Sequence, residues 1–143
     1  MLDHILIQVS NFASAKAFYT AALAPLGAKL LRELPHEVTG GAGVAGFGKD
    51  MPAFWISDVK KRAAGTSDSH IAFAAGSAAD VDAFYAAAIG AGATCNGKPG
   101  PRPQYHPGYY GAYVLDEDGN NVEAAFHGCE FGGAARADGQ VQA

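Results

Sequence analysis

Three residues in this sequence are of types that bind a divalent metal at protein sites: His4, His70 and Glu123. Two neutral imidazoles and one carboxylate form a facial set that leaves positions open on the ion. Such a set leaves a divalent centre with a net charge of about +1, which suits a substrate oxyanion. Taken singly, each residue also reads as a polar side chain at a strand end, bonded to backbone or water. What ties the histidines together is a repeat. His4-Ile5 recurs as His70-Ile71, and Ala17-Phe18-Tyr19 as Ala83-Phe84-Tyr85, at one common offset of 66.

The repeat says which elements must position these side chains. Residues 3–28 (DHILIQVSNFASAKAFYTAALAPLGA) align without a gap on residues 69–94 (SHIAFAAGSAADVDAFYAAAIGAGAT). Each copy reads as a strand followed by a helix. Ile5, Ile7 and Val9 alternate with Leu6 and Gln8, the two-residue period of a strand. Ser10-Asn11 offers a helix cap, and Phe12, Ala15, Phe18, Tyr19 and Ala22 recur at helical spacing until Pro25 and Gly27. In the second copy Ser77 and Asp80 make the start, and Gly90 and Gly92 the stop.

Strand-rich stretches follow each helix. They read AKLLREL, VAGFG and PAFWIS in the first copy, and ATCNG, YGAYVLD and NNVEAAF in the second. A Pro/Gly loop is expected from Lys98 to Gly108, and Asp118-Gly119 signals a hairpin. The predicted class is α+β, with two tandem βαβββ modules. Strand parity places Ile5, Ile7 and Val9, and Ile71 and Phe73, beneath the helices. His4, Leu6, Gln8, His70 and Ala72 then face the other way. On the last strand Glu123, Ala125 and His127 share a face, opposite Val122, Ala124 and Phe126. The three metal donors thus project from faces that the helices leave bare.

Composition closes off other classes. The chain has 143 residues, 49% hydrophobic and 17% charged, with a net charge of -4. That supports one folded domain and argues against nucleic acid as a partner, which needs a basic face. No apolar run approaches the ~20 residues of a membrane span, and the start lacks a signal peptide's basic and apolar regions. Cys95 and Cys129 lie in no CxxC motif and read as reduced thiols of a cytoplasmic protein. Residues 131–143 are small and polar, the composition of a flexible tail.

At these residues the sequence resembles the vicinal oxygen chelate superfamily of glyoxalases, bleomycin-resistance proteins, fosfomycin-modifying enzymes and extradiol dioxygenases. The likeness covers about residues 1–128. It is carried by DHILIQVSN with AFYTAALAPLG, by SHIAF, and by the closing LDEDGNNVEAAFH, where Glu117 replaces a usual proline. The resemblance implies a single domain over residues 1–130, with modules of about 1–62 and 66–130 forming a U-shaped mixed sheet around a metal and substrate cavity. It makes His4, His70 and Glu123 the ligands of one divalent ion: Zn, Ni, Mn, Fe or Co. Glyoxalases of the family carry a fourth ligand on the last strand of the first module. Sliding the closing strands over one another at an offset of 68 sets Asp50 on Asp118 and Trp55 on Glu123, and an indole cannot bind metal. The set of three leaves room for substrate oxygens.

The resemblance therefore implies a metal-dependent enzyme of lyase, transferase or dioxygenase type, acting on a small oxygen-rich or electrophilic molecule. The alternative is a metal-free small-molecule or antibiotic-binding protein. His127 and Tyr113 are the candidate acid–base groups. His127 lies about 13 Å from Glu123 along an extended strand, beyond direct ligation. Gln8 and Trp55 are candidate substrate contacts. So are Arg102, Tyr105, His106, Tyr109 and Tyr110, on a proline-stiffened loop able to lid a small-molecule site or, equally, to cover a sheet edge. Asn120, Asn121, Ala124 and Ala125 provide none of the basic cluster that fosfomycin-type enzymes use for a phosphonate. A homodimer is expected, because family modules often pair across subunits.

Overall fold

In the computed structural model, which describes residues 1–61 and 63–129, β1 (Ile5–Gln8) leads into helix α1 (Phe12–Leu23). The Asn11 side chain caps α1 by accepting the Ser14 N–H at 3.1 Å. Pro25 lies in a 3-10 turn over Ala24–Leu26, and Gly27, at φ 78°, reverses the chain. Then come β2 (Lys29–Glu33), a short helix α2 (His36–Thr39), β3 (Val44–Gly48) and β4 (Phe54–Ser57). The second module repeats the order with β5 (His70–Ala74), α3 (Ala78–Gly90), β6 (Thr94–Pro101), β7 (Tyr109–Leu115) and β8 (Asn121–His127). Ser77 Oγ caps α3 by accepting the Asp80 N–H at 3.1 Å.

The strand order is β1-β4-β3-β2 in one sheet and β5-β8-β7-β6 in the other. In each, the module's first and last strands pair in parallel and the rest pair antiparallel. The fold is the expected α+β pair of βαβββ modules. A single hydrophobic core runs through both, because each helix covers one face of its own sheet and α1 also packs on α3. Tyr19, Phe47 and Phe54 form an aromatic cluster, which Phe73 joins across the seam with its ring edge-on to Phe54 at 5.1 Å. Each fully buried side chain of this size contributes about 1.5–3 kcal/mol.

The β7–β8 turn fastens the modules. Asp118, almost wholly buried, accepts the Ser10 N–H of the first module with both oxygens, at 3.0 and 3.1 Å. Asp116 accepts the Tyr19 hydroxyl at 2.6 Å, the Asn120 side-chain amide at 2.6 Å, and the backbone N–H groups of Asp118 and Asn120. Burial, then the neighbouring Asp116 carboxylate, pushes the Tyr19 phenol well above its ordinary pKa, so it stays a donor. The Asp-Gly pair read as a hairpin turn is thus also the seam between the repeats.

Three local expectations change. Ile5 is 38% exposed, because α1 covers Ile7 and Val9 and leaves the strand's first residue uncovered. The loop expected from Lys98 is strand as far as Pro101, and only Arg102–Gly108 forms the turn. Pro99 and Pro101 are tolerated because β6 is an edge strand whose register shifts between Gly97 and Gly100. Helix α2 had no sequence signal strong enough to separate it from a turn. The tail from 131 to 143 lies outside the described residues. Among the described residues, no helix is long and apolar enough to cross a membrane.

Candidate metal and substrate site

His70 opens β5, Glu123 sits mid-β8, and the parallel pairing of these strands brings both onto the face that α3 leaves bare. His70 Nε2 stands 3.0 Å from Glu123 Oε2. The second carboxylate oxygen, Oε1, accepts the Tyr109 hydroxyl at 2.5 Å. Tyr113 stands directly opposite Glu123 on β7, and its ring stacks on His70 at 6.2 Å. Burial pushes the Tyr109 phenol up to about 12, with the Glu123 hydrogen bond adding to it. The Tyr113 phenol is raised well above its ordinary value by burial, then by its bonds to Glu123 and Tyr105. Both hydroxyls are therefore donors at neutral pH, and they shelter a carboxylate that is only 2% exposed.

Glycine makes this packing possible. A Cβ at Gly111 would stand 3.0 Å from Glu123 Oε1 and 3.1 Å from the Tyr109 ring, and one at Gly97 would run into Tyr113. The result is a concavity of about 300 Å³ lined by His70, Tyr105, Tyr109, Tyr113, Asn121 and Glu123. Two other concavities of similar size lack such a donor pair. One lies at the module seam, where Asp116 and Asp118 are already hydrogen-bonded, and the other is apolar, against Phe47 and Phe54.

The remaining candidates divide by module and by face. His4 stands exposed before β1, its Nδ1 2.5 Å from Asp3 Oδ1, and it does not join His70 and Glu123. Gln8 Oε1 accepts the Lys60 N–H at 3.1 Å, and Trp55 Nε1 donates to Pro52 O at 3.1 Å; both belong to the first sheet. Tyr110 points the opposite way from Tyr109, into the core beside α3, where its hydroxyl donates to Asp82. Tyr105 packs edge-on to Tyr109 at 5.0 Å over the concavity.

His106 and His127 hydrogen-bond through Nε2 and Nδ1 at 2.8 Å, and both rings meet the Tyr109 ring edge-on. The pair clasps the Arg102–Gly108 turn to the end of β8, aided by the Gly128 N–H donating to Gly108 O at 2.8 Å. Arg102 donates to Lys98 O and Pro101 O and lies over the Tyr113 ring. Asn121, absent from the sequence candidates, joins the lining because it opens β8 beside His70.

The donor chemistry fits a divalent ion at two points, an imidazole and a carboxylate converging within one sheet. It does not complete a site in one chain. Among the described residues, no group of three His, Cys, Asp or Glu is placed to hold a metal.

The sheet registers show where a fourth donor is missing. Trp55 pairs with Leu6 as Glu123 pairs with Ala72, and Leu6 and Ala72 are counterparts in the repeat. Trp55 therefore holds the Glu123 position of the first module. Its indole lies over Gly46, where a Cβ would come within 2.9 Å of the ring.

These features recur in known proteins. The profile of the Glyoxalase/Bleomycin resistance protein/Dioxygenase superfamily matches residues 1–124. A glyoxalase/bleomycin resistance protein from Albidiferax ferrireducens T118 is 29% identical, with a TM-score of 0.63 over 86% of this chain and 95% of that one. A point mutant of the fosfomycin resistance protein FosX from Listeria monocytogenes, in complex with Mn(II) and 1S,2S-dihydroxypropylphosphonic acid, is 18% identical. Its TM-score is 0.59, over 97% of this chain and 93% of that one. A point mutant of glyoxalase I from Zea mays is 20% identical, with a TM-score of 0.67 over 87% of this chain and 46% of that one. The last two likenesses are of fold. Among curated proteins, none matches the chain. The chain belongs to the Glyoxalase/Bleomycin resistance protein/Dioxygenase superfamily.

Proposed function

We propose that the chain is a divalent-metal-dependent enzyme acting on a small oxygen-rich or electrophilic molecule at the bare face of its second module. The observation that carries this reading is the His70–Glu123 pair, 3.0 Å apart at the floor of a concavity walled by tyrosines. His4 of a second copy in a homodimer would supply the third donor. Two features support that arrangement: His4 is free of the pair in its own chain, and the first sheet's bare face carries the apolar side chains of Leu6, Val44 and Trp55. Leu6 on that face is 45% exposed, and Ile5 beside it on the strand is exposed too. Such a surface calls for a cover.

A bound divalent ion would polarise chelating substrate oxygens and stabilise a developing anion. The chain's own groups do the rest. Tyr109 donates to Glu123 and fixes its orientation, and Tyr113 beside it on β7 helps keep bulk water away. Tyr105 narrows the mouth, and the His106–His127 clasp holds the turn that carries it. We take residues 1–130 as one domain, since the modules share a core. The two free cysteines fit a reducing, cytoplasmic setting.

Metal-free protein reloaded in turn with Mn, Fe, Co, Ni and Zn tests the reading. At least one metal should bind stoichiometrically, and Glu123→Ala should abolish that binding. Failure of every metal to bind favours the second reading, a metal-free binder of small molecules. That alternative draws on one observation: His70 and Glu123 already satisfy each other as a pair.

A further inference from the structure

We infer that Arg102 is an anion receptor of this site, so that its ligand carries a carboxylate besides the oxygens that face His70 and Glu123. The inference rests on the site reading above and names its substrate class. Arg102 follows β6, and its guanidinium folds back over the bare face of the second sheet: a Cβ on Gly100 would stand 3.1 Å from Nη1. Gly100 pairs with Gly111, whose own missing Cβ makes room for Glu123 Oε1. Gly97, three residues earlier on β6, leaves its space to the Tyr113 ring. The Arg102 guanidinium, the Tyr113 ring and the Glu123 carboxylate thus take up the room left by three glycines. They stand in a row on the bare face, with Tyr113 in the middle and lining the concavity.

The guanidinium is held there. Nη2 donates to Lys98 O at 2.7 Å, Nη1 donates to Pro101 O at 3.1 Å, and the Tyr113 ring lies 5.5 Å from Cζ. These contacts use part of a five-donor fork and none of its charge. Among the described residues no carboxylate pairs with Arg102, whereas Glu33 takes Lys16 and Glu123 takes His70. Arg102 is nonetheless half-buried, so its charge is partly stripped of water without a counter-ion. A planar fork in that state suits the planar, bidentate carboxylate. The rings of Tyr109 and Tyr113 that line the concavity favour a flat ligand body between the anion and the His70–Glu123 end.

Two probes separate this inference from the metal reading: 3,4-dihydroxybenzoate and 1,2-dihydroxybenzene, which differ only in the carboxylate. Each is titrated calorimetrically into cobalt-loaded and metal-free protein, wild type and Arg102→Met, with Arg102→Lys as a cation-retaining control. Wild type should bind the benzoate about ten- to a hundredfold more tightly than the diol, and Arg102→Met should erase that preference while leaving diol binding in place. Arg102→Lys should keep part of it. Equal affinities for the two probes in wild type, or equal weakening of both by Arg102→Met, would overturn the inference. Loss of cobalt binding with the preference intact in metal-free protein would instead overturn the metal reading alone.

Discussion

The two modules share strand order, register and helix placement, yet they present opposite surfaces on their bare faces. Where the second has Glu123, the first has Trp55. Where the second has Gly111, leaving space for a carboxylate oxygen, the first has Val44: Gly111 pairs with Ala125 as Val44 pairs with Ser57. Val44 and Trp55 therefore fill the first face at the positions where the second is hollowed around a carboxylate. The turns differ in the same way. Asp118 is buried in the seam, while its counterpart Asp50 is exposed and makes no hydrogen bond among the described residues. The repeat preserves the scaffold, and a handful of substitutions on one side of each sheet decide which copy presents a carboxylate in a hollow.

The sharpest break in that comparison is between Glu123 and Trp55. Glu123→Ala should weaken cobalt binding on the order of a hundredfold or more, because it removes the only carboxylate among the described residues that line the concavity. Trp55→Ala should lower cobalt affinity far less than Glu123→Ala does, while losing about 1–3 kcal/mol of stability as Gly46 is uncovered. Cobalt titration followed by visible absorption, with urea unfolding alongside, checks both. Equal losses of affinity in the two variants would erase the distinction between the faces.

The turns come next. Asp118→Ala should cost about 2–3 kcal/mol in urea unfolding, from a buried charge-assisted contact to the Ser10 N–H. Asp50→Ala should stay within about 0.5 kcal/mol of wild type. Gly111→Ala has a smaller effect. Its methyl would press on Glu123 Oε1 and Tyr109, so cobalt affinity should fall about tenfold and stability by about 1–2 kcal/mol.

The smallest effect is spectroscopic. Tyr109 should ionise near 12 in an alkaline titration of tyrosinate absorbance, and Tyr109→Phe should remove that component. The folded phenol's pKa lies above its unfolded value of about 10. Its contribution to stability is therefore full below about pH 10 and fades as pH rises through about 12. A Tyr109 that ionised near 10 would place its hydroxyl in water rather than on Glu123.

Much of this was legible in the residues. The offset of 66 gave both strand–helix units, and the offset of 68 at the closing strands put Trp55 on Glu123, as the registers do. Strand parity correctly put His70 and Glu123 on one bare face. Parity could not say whether the two modules' bare faces meet, because that depends on how the helices pack, and α1 against α3 holds both faces outward. The same limit hid the roles of His106 and His127. Their pairing needs the turn after Pro101 to fold back on β8, a tertiary contact with no periodic signature. Tyr109 and Tyr110 looked alike as aromatic neighbours, and only the extent of β7 separates the one on Glu123 from the one on Asp82. Asp116 read as the end of a strand and Asp118 as a turn residue, since a bond to Ser10 or Tyr19, about a hundred positions away, leaves no local trace.

The central claim is that a site built on the second module of one copy is completed by His4 from another. Mixing His4→Ala with Glu123→Ala tests it most directly. In a mixed dimer one site carries both defects and the other carries neither. Each variant alone should fail to bind cobalt tightly, and the equimolar mixture, after subunit exchange, should recover roughly a quarter of the wild-type sites with wild-type affinity. Cobalt binding by His4→Ala as tight as wild type, or a mixture that recovers nothing, would contradict the claim.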